Sequence, residues 1–374
     1  MSRGTLSFLA RFLRSKQDPM HEQELVIPLG ADERPASVYL PTHRHQPWPT
    51  WILLQGVTVP GRHHAGVVRM ARALAAAGHV ALVPEVPSWT SLTVDPAEAD
   101  STLRATVEWL GGWTPVDRDR LGVMGFSVAA TWMLEVAATD FGRELHVAVG
   151  VGGYANFERL LKAMLIGEHE LAGRVYRYEP DPYGRWILGA NLLPLLEADD
   201  YGTRIERERT AQALLELART AGRNGALAGT PVYDPLIAHQ RKYLTGRALV
   251  AWDLLASPSA KLVPDAPAGR ALAATLAEAG ERCHPEFEVG DKLRALSVPT
   301  ILLHGRHDTL VPFSEGLRLG EAIPQKLRRR VVITRLLGHA KSVGAEIPWT
   351  PAALAAEIRE FVRAIDALLS AIES

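Results

Sequence analysis

Leu121-Gly122-Val123-Met124-Gly125-Phe126-Ser127-Val128-Ala129 decides how this sequence folds. Leu121 to Met124 is a short apolar run, the pattern of a strand buried on both faces. Residues 128–139 follow at once with helical patterning, so Ser127 stands on the turn joining a strand to a helix. A serine there projects its hydroxyl above the sheet edge, and small neighbours are needed because strand and helix backbones pass close together. The first free amide of the helix, that of Val128, and the positive end of its dipole both face developing negative charge at that point. The common form of this turn has glycine where Ala129 stands, and alanine is the next smallest side chain. The plainer reading is an ordinary strand–helix turn with an N-capping serine.

Outward from that turn, strands and helices alternate. Residues 24–29 and 36–40 read as strands around a turn at Gly30-Ala31-Asp32, and Trp51 to Gln55 is a buried strand ending at Gly56. A helix from Ala65 to Ala77 is stopped by Gly78. His79 to Val83 is another buried strand, and Asp95-Pro96 opens a helix running to Leu110. Downstream come strands at His146 to Val149, Val298 to Leu303 and Val331 to Thr334, with helices at Phe313 to Ala322 and Pro351 to Leu369. This alternation predicts an α/β protein: a mostly parallel central sheet with helices on both faces. From Asn156 to Glu288 no clean buried strand occurs, only helical patches broken by prolines. The expected organisation is an N-terminal amphipathic helix over 1–20, an α/β core over 21–153 and 289–374, and a helical cap inserted at 154–288. A length of 374 residues, at about 150 per domain, accommodates one large domain with such an insertion or two domains.

Composition narrows the function. Hydrophobic residues at 47% and charged residues at 22% exclude a disordered or fibrous chain. Forty-one basic against 42 acidic residues leave no field to hold a phosphate backbone, so nucleic acid is not an expected partner. The single cysteine, Cys283, excludes an internal disulfide framework and a multi-cysteine zinc site. Nothing requires an oxidising compartment, and a cytoplasmic location is expected. Leu6, Leu9 and Leu13 recur at helical spacing beside Phe8 and Phe12, interrupted by Arg3, Arg11, Arg14 and Lys16. That run is too short and too charged to span a membrane. It reads either as peripheral contact of residues 1–18 with an anionic membrane or as a helix packed on its own protein or a second subunit, and the second reading is preferred. The oligomeric state is not legible.

A serine is a weak nucleophile and needs an oriented base. In parallel sheets such groups come from loops at the C-terminal strand ends. After the strand ending at Leu303 comes a loop containing Asp308, the carboxylate best placed to reach the crevice. After the strand ending at Thr334 comes Leu337-Gly338-His339-Ala340, where His339 follows a flexible glycine. The order Ser127, Asp308, His339 resembles that of the α/β-hydrolase fold serine hydrolases. The resemblance covers segments 50–85, 115–153 and 290–340 with the closing helix, roughly two thirds of the chain. Val116 to Ser127 is similar to the approach to the nucleophile in the dienelactone-hydrolase-like and acyl-peptidase-like branches. Dienelactone hydrolases carry cysteine there, so that activity is not carried over to Ser127. The resemblance implies the α/β-hydrolase fold with Ser127 as nucleophile, Asp308 as acid and His339 as base. It also implies an oxyanion amide from Gly56-Val57-Thr58. With Val128 as one donor, Val57 is the first choice for the second and Thr58 stands close behind.

His63, His64, His304 and His307 lack metal-ligand spacing, so no metal is expected; no organic cofactor is implied either. Gly150-Val151-Gly152-Gly153 reads as the hinge where the cap leaves the sheet. Trp89 is a candidate for the pocket wall, and Tyr154 and Asn156 either touch substrate or serve packing. Trp186, Trp252, Tyr176, Tyr178 and Tyr183 offer aromatic area for an apolar pocket, although packing explains each more simply. Arg174, Arg177 and Arg185 read as an anion site or, preferably, a solvated helix face. The expected activity is cleavage of a small-molecule carboxylic ester through an acyl-serine. The alternatives are an acyltransferase or peptidase on the same residues and, in another class, a non-catalytic binding protein.

Overall fold

In the computed structural model, which describes residues 2–13, 21–42, 46–197, 199–225, 227–263, 265–337 and 350–373, the chain opens with helix α1 (Arg3–Phe12) and a hairpin. The hairpin strands are β1 (His21–Leu29) and β2 (Asp32–Leu40). There follow β3 (Trp48–Leu54), α2 (Ala65–Ala76), β4 (Val80–Pro84), the short α3 (Pro87–Thr90), α4 (Pro96–Leu110), β5 (Val116–Phe126), α5 (Val128–Ala137) and β6 (Val147–Val151). Pro96 sits in the first turn of α4, and the Asp95 side chain accepts the Glu98 amide as its N-cap, as Asp-Pro requires.

Between β6 and the next strand of the main sheet lie α6 (Phe157–Ile166), a hairpin of β7 (Glu168–Leu171) and β8 (Arg174–Arg177), then α7 (Tyr183–Leu192), α8 (Arg204–Asn224), α9 (Asp234–Arg241), α10 (Gly246–Leu255) and α11 (Ala266–Cys283). The hairpin is an addition to a stretch expected to be largely helical. Its two-residue turn is Ala172-Gly173, both at positive φ (50° and 78°), the geometry that matches strand twist. The main sheet resumes with β9 (Thr300–Gly305), α12 (Phe313–Ala322) and β10 (Arg328–Thr334), and α13 (Pro351–Glu373) closes the chain.

The main sheet has eight strands in the order β1-β2-β4-β3-β5-β6-β9-β10. β2 runs antiparallel to both neighbours, and every pairing from β4 to β10 is parallel. Central strands are apolar on both faces because both are covered. Ile52, Leu54, Val123 and Leu302 share one core with α4, α5 and α12, while Trp51, Leu53, Met124 and Ile301 share another with α1, α2 and α13. Register sets Leu54 opposite Gly125, Phe126 opposite Val151 and Gly305 opposite Thr334. The strands therefore end along one rim, and the loops that leave it face a common crevice.

Helix α1 lies on this protein. Phe8 and Phe12 are buried, and the Phe12 ring stands 5.7 Å from that of Phe361 on α13. The Thr5 hydroxyl donates to Asp366 at 2.6 Å, while Leu6 and Leu13 stay exposed. No helix among the described residues is long and apolar enough to cross a membrane.

Candidate active site

Ser127 follows β5 with φ 59° and ψ −131°, a region that side-chain-bearing residues enter only when the surroundings force them. The forcing is visible. Its N–H donates to the Val151 carbonyl at 2.8 Å, and its own carbonyl accepts the Ala130 amide at 2.9 Å. The next helix begins immediately, at Val128. A Cβ at Gly125 would lie 2.6 Å from the Ala129 carbonyl carbon and 2.8 Å from Ala130 Cα, so only glycine lets α5 fold back over the strand. The Ser127 side chain makes no capping bond to the helix. The plainer reading of an N-capping serine therefore lacks its hydrogen bond, and Ser127 lines the crevice.

The loop after β3 presses against this turn. A Cβ at Gly56 would lie 3.0 Å from Ser127 Cβ and 3.6 Å from its Oγ. Val57 and Thr58 follow and, with Ser127 and Val128, line a cavity of about 260 Å³. The Val128 amide belongs to the first helical turn, where no intrahelical acceptor exists. It is thus available to a ligand beside Ser127.

Asp308 reaches the same cavity from the loop after β9. It is 6% exposed, and its Oδ1 accepts the amides of Leu310 and Val311, each at 2.9 Å. Two such bonds fix the carboxylate in place. Oδ2 lies 3.7 Å from His304 Nε2, beyond hydrogen-bonding distance. His304 Nε2 instead pairs with the Val311 carbonyl at 2.9 Å, so His304 braces the Asp308 loop. Burial, and then the Asp308 charge, push the Tyr178 phenol far above its ordinary value. His339 lies outside the described residues. Leu337, two positions earlier, lines the cavity, and Gly305 leaves room for its carbonyl.

The cavity roof comes from the helices between β6 and β9: Met164 on α6, and Tyr183, Ile187 and Leu188 on α7. Burial raises the Tyr183 pKa, against the pull of the Thr58 hydroxyl and Val59 backbone beside it. Its oxygen would stand 3.1 Å from a Cβ at Gly222 on α8. The Asp181 amide donates to the Thr309 carbonyl at 3.0 Å, tying the roof to the Asp308 loop. Arg185 is fully buried, and its guanidinium donates to the carbonyls of Leu255 and Leu262 and to the Ser257 hydroxyl. Burial lowers its pKa to about 10, against the attraction of Asp181.

Several residues singled out in the sequence sit elsewhere. Trp89 and Tyr154 are wholly buried and outside the cavity lining. The Trp89 ring is 5.6 Å from Trp132, and its Nε1 donates to the Asp95 carbonyl. The Tyr154 hydroxyl accepts from Trp132 Nε1 and donates to the Phe287 carbonyl. Both are core residues rather than substrate contacts, because an aromatic just beyond a strand end turns inward when apolar neighbours await it. Asn156 caps α6, and Trp186 and Trp252 are core. Arg174 and Arg177 lie on the exposed β7–β8 hairpin, apart from buried Arg185. No group of three or more metal-ligating side chains occurs among the described residues.

No protein-family model and no curated protein sequence matches the chain. Solved structures do match. A 2,6-dihydroxy-pseudo-oxynicotine hydrolase is 17% identical over 95% of this chain and 68% of its own, with a TM-score of 0.47. An esterase from Pyrobaculum calidifontis is 13% identical over 99% of this chain and 89% of its own, with a TM-score of 0.48. The acylaminoacyl peptidase of Pyrococcus horikoshii is 9% identical over 96% of this chain, with a TM-score of 0.47, and this chain spans 42% of its length. Eight strands ordered 1-2-4-3-5-6-9-10 with the second reversed, and a strained serine on the turn after β5, give this chain the α/β-hydrolase fold.

Proposed function

We propose that the protein is a serine hydrolase that cleaves a carboxylic ester through an acyl-serine intermediate, with Ser127 as nucleophile, Asp308 as acid and His339 as base. The observation that carries this reading is the Ser127 backbone at φ 59° in the wall of a cavity shared with Asp308. Strain at a polar residue lining a cavity is the pattern of a functional site.

Attack proceeds as His339 takes the Ser127 proton and Oγ bonds to the ester carbon. The oxyanion that forms receives the Val128 amide and one from Val57 or Thr58, each such donor being worth about 10²–10³ in rate. Collapse breaks the C–O bond, and His339 returns the proton to the departing alcohol. Water then repeats the sequence and releases the carboxylic acid. Asp308 holds the imidazole tautomer and stabilises its charged form. The helices between β6 and β9 act as a cap that excludes water and shapes the acyl pocket.

The test is covalent labelling by a fluorophosphonate probe, with turnover of short p-nitrophenyl esters measured in parallel. Wild-type protein is expected to label on Ser127. The Ser127→Ala and His339→Ala variants are expected to lose turnover while remaining folded. Substantial turnover by purified Ser127→Ala would reject the assignment.

A further inference from the structure

The cavity continues past Ser127 to a wall built from Phe12 of α1 and from His64, Gly66, Arg69 and Met70 around the start of α2. Among its described lining residues the carboxylate is Asp308 and the permanent cation is Arg69. Asp308 is committed to the amides of its own loop. Arg69 is not committed: its Nε is shielded from solvent without a hydrogen-bond partner, and no ion pair engages it among the described residues. Its guanidinium stands over the face of the Phe12 ring, 6.0 Å from guanidinium carbon to centroid. Neighbouring arginines are paired, Arg62 with Glu24 and Glu85, and Arg72 with Glu22.

A partly desolvated guanidinium without a counter-ion is unfavourable, and no carboxylate among the described residues pairs with it. Helices α1 and α2 contain no acidic residue. The N-terminal end of α2, positive by its dipole, points the same way. The opposite end of the cavity is apolar, under Met164, Ile187 and Leu188.

We propose that Arg69 is an anion-recognition residue and that the substrate is an ester bearing a carboxylate. This rests on the hydrolase reading above. The ester lies at Ser127, the apolar part lies under the cap, and the carboxylate takes the forked N–H donors of Arg69. A single permanent cation in a mostly apolar lining suits a monovalent carboxylate better than a divalent phosphate.

The test compares wild type, Arg69→Met and Arg69→Lys on two matched substrate pairs. Mono-p-nitrophenyl glutarate against p-nitrophenyl pentanoate puts the charge on the acyl side. p-Acetoxybenzoate against p-tolyl acetate puts it on the alcohol side. In one pair, Arg69→Met is expected to lower the charged-to-neutral ratio of kcat/KM by about tenfold or more, mainly through KM, with Arg69→Lys between. The neutral ester controls for folding and should stay within about twofold of wild type. Ratios unchanged in both pairs would overturn the role of Arg69 and leave the hydrolase reading standing. Absence of Ser127-dependent turnover of either neutral ester and either charged ester would overturn both.

Discussion

Replacing Ser127 by glycine should make the protein more stable while abolishing its chemistry. The residue sits at φ 59°, ψ −131°, where a side chain costs about 1–3 kcal/mol of backbone strain. Glycine escapes that cost but loses about 0.5–1 kcal/mol relative to alanine through the freedom of its unfolded chain. The hydroxyl makes no helix-capping bond, so its removal forfeits little. Ser127→Ala keeps Cβ, and with it the strain, and is the proper reference. The difference leaves Ser127→Gly more stable than Ser127→Ala by about 1 kcal/mol, the reverse of the usual order of these residues. Urea unfolding followed by tryptophan fluorescence reads this as a higher midpoint at equal slope, and neither variant should hydrolyse esters. A Ser127→Gly protein less stable than Ser127→Ala would show that the turn is unstrained, and the structural case for Ser127 would fall with it.

Three further predictions follow from the same geometry. Asp308→Asn should keep its carbonyl oxygen on the amides of Leu310 and Val311 and turn an NH2 toward the proposed base. kcat should then fall by about 10³–10⁴ with the circular dichroism spectrum unchanged; a loss under tenfold would remove Asp308 from the mechanism. Gly125→Ala drives a methyl group into the backbone of Ala129 and Ala130, which cannot step aside as a side chain would. Denaturation should show about 3 kcal/mol of destabilisation, and wild-type stability would contradict that close approach. Arg185→Met strips the donors from the buried carbonyls of Leu255 and Leu262 and from Ser257, and should cost about 3–5 kcal/mol by the same measurement.

Legibility in the sequence follows physical rules. The central strands could be read because burial on both faces leaves unbroken apolar runs, and the placing of Ser127 and Asp308 on one cavity because loops leaving one end of a parallel sheet share a crevice. Trp89 and Tyr154 misled because position after a strand does not say whether a ring faces crevice or core. The β7–β8 hairpin was missed because its strands are short, polar and exposed, without alternation to betray them. Arg69 gave no signal: on α2 it reads as one more solvated helix cation, and what marks it is that no carboxylate among the described residues pairs with it, which is a fact of three dimensions. The roof residues Met164, Ile187 and Leu188 likewise resemble ordinary helix core, and Tyr183 was seen only as undifferentiated aromatic area.

The contact between α1 and α13 bears on the order of assembly. Thr5 and Asp366 are separated by 361 positions, so a ribosome must add that whole stretch after Thr5 before the bond can close. A ten-residue helix is marginal by itself in water. Helix α1, made before α13, must therefore wait, incompletely covered, until that later helix arrives to clasp it.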